Sequence, residues 1–152
     1  KIIPCSAEAE LALRKAADRK FISYFPGEGG FSVVTEIEEG PKKALDFISE
    51  KILQKFGSTG VQQALDSTVF DLLNMIAVYP VENEHKFSNK NGDILPDAHL
   101  MKKGSTALEL AYKIHEDIGK KFIAAVDART GKTLAANYEL KNGDIISIKT
   151  RR

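Results

Sequence analysis

Tryptophan is absent from the 152 residues, and cysteine occurs once, at Cys5. A lone cysteine excludes an internal disulfide and suits a reducing compartment, so the cytoplasm is the expected location. No apolar run approaches the ~18 residues that a membrane helix needs, and no signal-peptide pattern is present, so no membrane partner is expected. The triphosphate-cradling pattern G-x-x-x-x-G-K-[ST] is missing, as is H-E-x-x-H. His85, His99 and His115 stand 14 or more residues apart with no cysteine near them, which is not the spacing of a metal site. Excess charge of either sign is also lacking: 22 Lys and Arg face 21 Asp and Glu. The halves differ slightly, with 9 basic against 11 acidic residues in 1–80 and 13 against 10 in 81–152. A lean of that size permits a nucleic-acid partner for the second half without requiring one.

The sequence does contain a sound core composition, with 43% apolar residues, enough for one large or two small domains. It opens on Lys1 inside an apolar run rather than on Met, and reads as a portion of something longer. Residues 1–5 read as a short buried strand. Cys5 is expected to pack as a small hydrophobe rather than to pair with a histidine as a nucleophile. Ser6 suits a helix N-cap, with Glu8 and Glu10 favoured in the first turn by the helix dipole and Leu13, Ala16 and Ala17 facing inward. Phe21–Phe25 and Phe31–Val34 flank Pro26-Gly27 and Gly29-Gly30, predicting two extended segments about a glycine-rich turn. Pro41 predicts a helix start, with Ala44, Leu45, Ile48, Ile52 and Phe56 on its buried face and Gly57 ending it. Thr59 and Gln62 have capping-box spacing ahead of the strongest amphipathic stretch, Val61, Ala64, Leu65, Val69, Leu72, Leu73 and Ile76.

Beyond residue 76 the pattern changes to α+β. Ile76–Glu82 and Ala98–Lys102 read as strands around a polar turn at 88–92. Thr106 and Glu109 form a capping box before the stripe Leu110, Ala111, Ile114 and Ile118, and Gly119 is placed to end that helix in the left-handed region. Phe122–Val126 and Asp144–Lys149 read as strands, the latter entered through the tight turn Asn142-Gly143. His115 reads as a hydrogen-bonded structural residue. The pairs Lys102-Lys103, Lys120-Lys121 and Arg151-Arg152 read either as solvated turns and tails or as a rim contacting phosphates.

Tyr79-Pro80-Val81, Leu95-Pro96-Asp97-Ala98, Gly104-Ser105-Thr106, His115–Gly119 and Asn142-Gly143-Asp144-Ile145-Ile146 occur in the order of a TGS domain, which the second half resembles. This ubiquitin-like β-grasp module is shared by threonyl-tRNA synthetases, Obg-type GTPases and stringent-response enzymes. In the first half, Pro4 to Leu13 places Ser6-Ala7 between a strand and a helix, which resembles the fifth nucleotide-binding motif of P-loop GTPases. Together with Gly57–Gln62 and Leu110–His115, these segments look like an archaeal GTP-binding protein of the Obg superfamily, YchF-related.

That resemblance implies a division into 1–76, the last strand and helices of a GTPase α/β domain with an inserted helical segment, and 77–152, the TGS domain. It implies GTP or ATP and Mg2+ as cofactors of the parent. Of the nucleotide contacts, only Ser6, Ala7 and Glu8 are carried over, because the P-loop, Asp-x-x-Gly and Asn-Lys-x-Asp do not occur in this sequence. The implied activity is hydrolysis of GTP by the parent, with a ribosome or structured RNA docking on the TGS domain at Lys102, Lys103, Lys120, Lys121, Arg151 and Arg152. The rival reading is a stand-alone TGS adaptor that binds RNA or protein without hydrolysis. A piece of an aminoacyl-tRNA synthetase fits the TGS part but not the Ser-Ala turn before it.

Overall fold

A computed structural model describes residues 2–151, which fall into two compact units divided in sequence between Val69 and Phe70. In the first unit, α1 (Ala7–Asp18) begins where Ser6 Oγ accepts a hydrogen bond from the Ala9 N–H at 3.4 Å. Its inward residues are Ala9, Leu13 and, against the usual rule for charged groups, Glu10. A short antiparallel pair follows, β1 (Ile22–Ser23) and β2 (Ser32–Val33), with Ile22 opposite Val33 across the glycine-rich turn. Leu13 and Ile22 then pack with Leu45, Ile48 and Leu53 as the core of this unit.

The last three of these lie on one helical run that is not uniformly α. It consists of α2 (Glu39–Ile48), a π-helical turn at Ser49–Leu53, and α3 (Gln54–Phe56), ended by Gly57 in the left-handed region at φ 80°. The helix starts two residues before Pro41, whose missing N–H costs nothing in a first turn. The π turn inserts one extra residue, so the buried position after Ile48 falls on Leu53 rather than Ile52. Ile52 is half-buried, and Ala44 and Phe56 are exposed, contrary to the expected face.

Residues 2–5 have no strand partner among the described residues, and Ile2 is 97% exposed. Cys5 is exposed rather than packed in a core. The capping box Thr59/Gln62 does not form: Gly60 precedes α4 (Val61–Asp66), and Gln62 donates to Asp66 Oδ1 at 2.9 Å instead. α4 continues as a π-helical segment, Ser67–Leu72, and the apolar residues expected to be its buried face are exposed at Leu65, Leu72 and Leu73.

The second unit is a five-stranded sheet carrying a helix. β3 (Met75–Pro80) and β4 (His99–Lys102) are antiparallel with Ile76 opposite Met101. The capping box at Thr106 and Glu109 opens α5 (Ala107–Ile114), and His115 caps α6 (Glu116–Lys120). β5 (Phe122–Asp127), β6 (Thr133–Leu134) and β7 (Ile145–Thr150) complete the order β4-β3-β7-β5-β6. β3 and β7 run parallel at the centre and their neighbours are antiparallel, which is the expected β-grasp. Ala107 and Leu110 bring α5 onto Ile76, Val78, Met101, Ala125 and Ile146. Gly119 lies inside α6 and does not end a helix in the left-handed region. Its hydrogen replaces a Cβ that would stand 2.3 Å from the Tyr112 ring, so close packing explains this glycine.

Candidate functional site

The turn carrying Ser6, Ala7 and Glu8 is built on a second loop, residues 57–60. Ser6 N–H donates to the Thr59 carbonyl at 2.8 Å, and Cys5 Sγ lies 3.4 Å from the Gly60 carbonyl as a donor. Gly60, at φ 78°, lies so close to the first segment that a Cβ there would be 1.8 Å from the Pro4 carbonyl oxygen. Beneath this, the β1–β2 turn packs against the same loop, since a Cβ on Gly29 would stand 2.7 Å from the Gly57 carbonyl oxygen. Three glycine-bearing or proline-bearing segments thus meet by backbone contact, which larger residues would prevent.

The side chain joining them is Glu10. Thr59 Oγ1 donates to its Oε2 at 2.6 Å, Tyr24 OH to the same oxygen at 2.8 Å, and Arg14 Nε to Oε1 at 2.7 Å. Glu10 and Thr59 are 5% and 1% exposed, which leaves the bond between them shielded from competing water, whereas the bonds from Arg14 and Tyr24 are part-buried. Burial pushes the Glu10 carboxyl up, but the bonds from Thr59, Arg14 and Tyr24 outweigh it and hold the group below its ordinary value. Burial and the bond to Glu10 push the Tyr24 phenol up. Thr59, expected as a cap, is instead turned inward to this carboxylate.

At the surface end of α1, Ser6 Oγ takes the Ala9 N–H and Ser6 carbonyl takes that of Glu10 at 3.1 Å. The Ala7 and Glu8 N–H groups have no protein acceptor among the described residues. Ala7 and Glu8 are exposed, and Ser6 and Glu8 border an open groove of about 380 Å³ whose far wall is Phe47, Ile48 and Ile52. The arrangement offers backbone donors beside an apolar wall.

In the second unit the structure separates the basic pairs. Lys121 carbonyl accepts from Arg151 N–H at 2.9 Å, bringing these two residues together at one end of the sheet, with Lys120 next to them and bonded to Glu116 at 2.7 Å. Lys102 lies opposite Met75, at the other end. Lys103 borders a groove of about 310 Å³ with Lys141, Asn74 and Asn142. From the Met75 level to Tyr79, and from its partner Ile145 to Thr150, the sheet spans about 30 Å at 3.3 Å per residue. Arg152 lies outside the described residues. Lys141 was not among the expected cations, because in sequence it stands alone.

A family model described as "Obg-like GTPase YGR210-like, G4 motif-containing domain" matches residues 1–83, more than half of the chain. The chain belongs to the Obg-like GTPases. The TGS domain model matches residues 89–150. An uncharacterised GTP-binding protein of Methanocaldococcus jannaschii is 50% identical over 149 residues, covering 97% of this chain and 37% of the relative. One of Schizosaccharomyces pombe is 32% identical over 126 residues, covering 75% of this chain and 30% of that protein. The crystal structure of a GTP-binding protein from Pyrococcus horikoshii OT3 matches with a TM-score of 0.72 and 45% identity, covering 99% of this chain and 37% of that one. This Obg-like GTPase chain therefore spans between 30% and 37% of the length of these three relatives.

Within it, sequence reasoning missed Glu10, Thr59, Tyr24 and Arg14 as a unit. The available signal was a carboxylate three residues before Leu13, on the apolar side of an otherwise amphipathic helix.

Proposed function

We propose that this chain is the C-terminal part of a protein that binds and hydrolyses GTP with Mg2+, and that it contributes the loop that holds the base. The observation that carries this reading is the Ser6–Ala7–Glu8 turn itself. It is fixed by Ser6 N–H on the Thr59 carbonyl and backed by Gly60; Ala7 N–H lies at an exposed helix start, and its neighbours Ser6 and Glu8 border the apolar-walled groove. A guanine carbonyl oxygen matches such a donor, whereas an adenine amino group meets it donor to donor. In this proposal the phosphates and Mg2+ are held by the P-loop and Asp-x-x-Gly motifs of the parent, which do not occur in this sequence. The contribution of this chain is base orientation and exclusion of water from one edge of the ring, with GTP favoured over ATP.

The TGS domain is the docking module in this proposal, with RNA or the ribosome as partner. The Lys121–Arg151 end and the Lys102–Lys103–Lys141 end act as separate phosphate contacts, because about 30 Å far exceeds the ~8 Å screening length at physiological salt. The test is twofold. Mg2+-dependent GTP hydrolysis by the whole protein checks the first part, and absence of binding to both GTP and ATP overturns it. Binding of this chain to structured RNA across a salt series checks the second. Two contacts at one end give a log–log slope of about −1.4 to −1.8. Reversing Lys121 and Arg151, or Lys102 and Lys103, to glutamate shows which end binds, and no effect from either overturns the docking surface.

A further inference from the structure

Nothing in hydrolysis or docking uses Glu10, although it is the buried carboxylate of the first unit with the fullest set of partners. We infer that Glu10, acting through Thr59, is a positioning residue that sets the Ala7 N–H at the distance and angle at which the base is read. This inference rests on the reading of Ser6–Ala7 as the base loop. Its geometric basis is that Thr59 has two ends engaged at once. Its hydroxyl donates to Glu10 Oε2 at 2.6 Å while its carbonyl accepts the Ser6 N–H at 2.8 Å. One residue thereby connects the interior of α1 to the residue that precedes Ala7.

The remaining partners fix Glu10 in turn. Tyr24 reaches it from the β1–β2 turn and Arg14 from one helical turn further along α1, so the carboxylate is held from three directions. Gly60 removes the slack, since its backbone already touches Pro4. An apolar cluster of equal volume would stabilise this region as well as a carboxylate or better. What it lacks is direction. Hydrogen bonds fix angle as well as distance, and a donor must be held within about 0.5 Å to read an acceptor.

The test uses the whole protein and the fluorescent nucleotides mant-GDP and mant-ADP with Mg2+, read as the ratio of their dissociation constants, with pyrophosphate competition reporting the phosphate end. Ala7→Pro comes first. Proline fits the first helical position, so the variant removes the N–H and keeps the helix. The preference for GDP should fall by about tenfold, the scale of one lost hydrogen bond. If it does not fall, the base-loop reading is overturned and the positioning role with it.

If it does, Thr59→Val decides the inference. Removal of the hydroxyl should lower the same preference several-fold while pyrophosphate competition stays unchanged, and Thr59→Ser, which keeps the hydroxyl, should restore it. An unchanged preference in Thr59→Val, or equal losses in Thr59→Val and Thr59→Ser, overturns the role of Glu10 and leaves the base loop standing. Should Thr59→Val fail to fold, Tyr24→Phe removes a donor from the same oxygen at a half-buried site and is read in the same way.

Discussion

Replacing Gly60 by alanine tests whether the two loops are locked by backbone contact. Two penalties arise at this position. An alanine at φ 78° costs about 1–2 kcal/mol for its left-handed conformation alone. Its Cβ would also fall 1.8 Å from the Pro4 carbonyl oxygen and 2.9 Å from the carbonyl carbon, which are backbone atoms and cannot rotate away. The segments must part, and the Ser6–Thr59 bond is strained or lost, adding about 1 kcal/mol. The sum, about 2–3 kcal/mol, corresponds to roughly 30- to 150-fold faster amide exchange in the core of the first unit, at Leu13. Gly57→Ala is the control. It has a similar φ of 80° with nothing within 4 Å of the added Cβ, so it should cost only the conformational part, about 1–2 kcal/mol. Exchange at Leu13 that accelerates equally in both variants, or in neither, refutes the argument from contact.

Glu10→Gln should flatten the acid limb of the stability profile. The folded group titrates below its ordinary value, so its contribution is full above the ordinary glutamate range near pH ~4.3 and is lost as pH falls through the depressed folded value. Urea midpoints from pH 2.5 to 7 check this, and a parallel profile in the variant contradicts it. Leu110→Ala should cost about 2–5 kcal/mol because Leu110 is fully buried, whereas Leu72→Ala, at a site 78% exposed, should cost less than about 0.5 kcal/mol in this chain. Comparable losses in chemical denaturation would show that the α4 continuation is covered in solution. Thr106→Ala removes one half of an observed capping box and should cost about 1 kcal/mol, read as a shift in denaturation midpoint. No shift would mean that solvent replaces the cap.

The second unit was legible because its signals are local. Thr106 and Glu109 state a helix start within four residues, and Asn142-Gly143 states a turn within two. The first unit was less so, since its decisive contacts lie far apart in sequence. Thr59 has a choice between capping the helix that follows it and reaching Glu10, 49 residues earlier, and only the fold brings the carboxylate within 2.6 Å. The face of Val61 to Leu73 was misread for a related reason: periodicity reports that a stripe is apolar, not that something covers it. The basic pairs are adjacent in sequence, but their positions in the fold depend on strand register, which places Lys102 and Arg151 at opposite ends of one sheet.

The π turn at Ser49–Leu53 has a consequence for how this helical run could be altered. By delaying the helix one position, it lets two apolar lines coexist: Leu45, Ile48 and Leu53 serve the core, while Phe47 and Ile52, five apart, form a wall of the groove at Ser6 and Glu8. Deleting a single residue within the turn would restore regular pitch and rotate everything downstream by about 100°, the angle per residue of an α-helix. Gly57, Thr59 and Gly60 would be carried round with it. Insertions and deletions here are therefore changes of phase rather than of length, and a shortened variant would misalign the loop under Ser6 even if every side chain were kept.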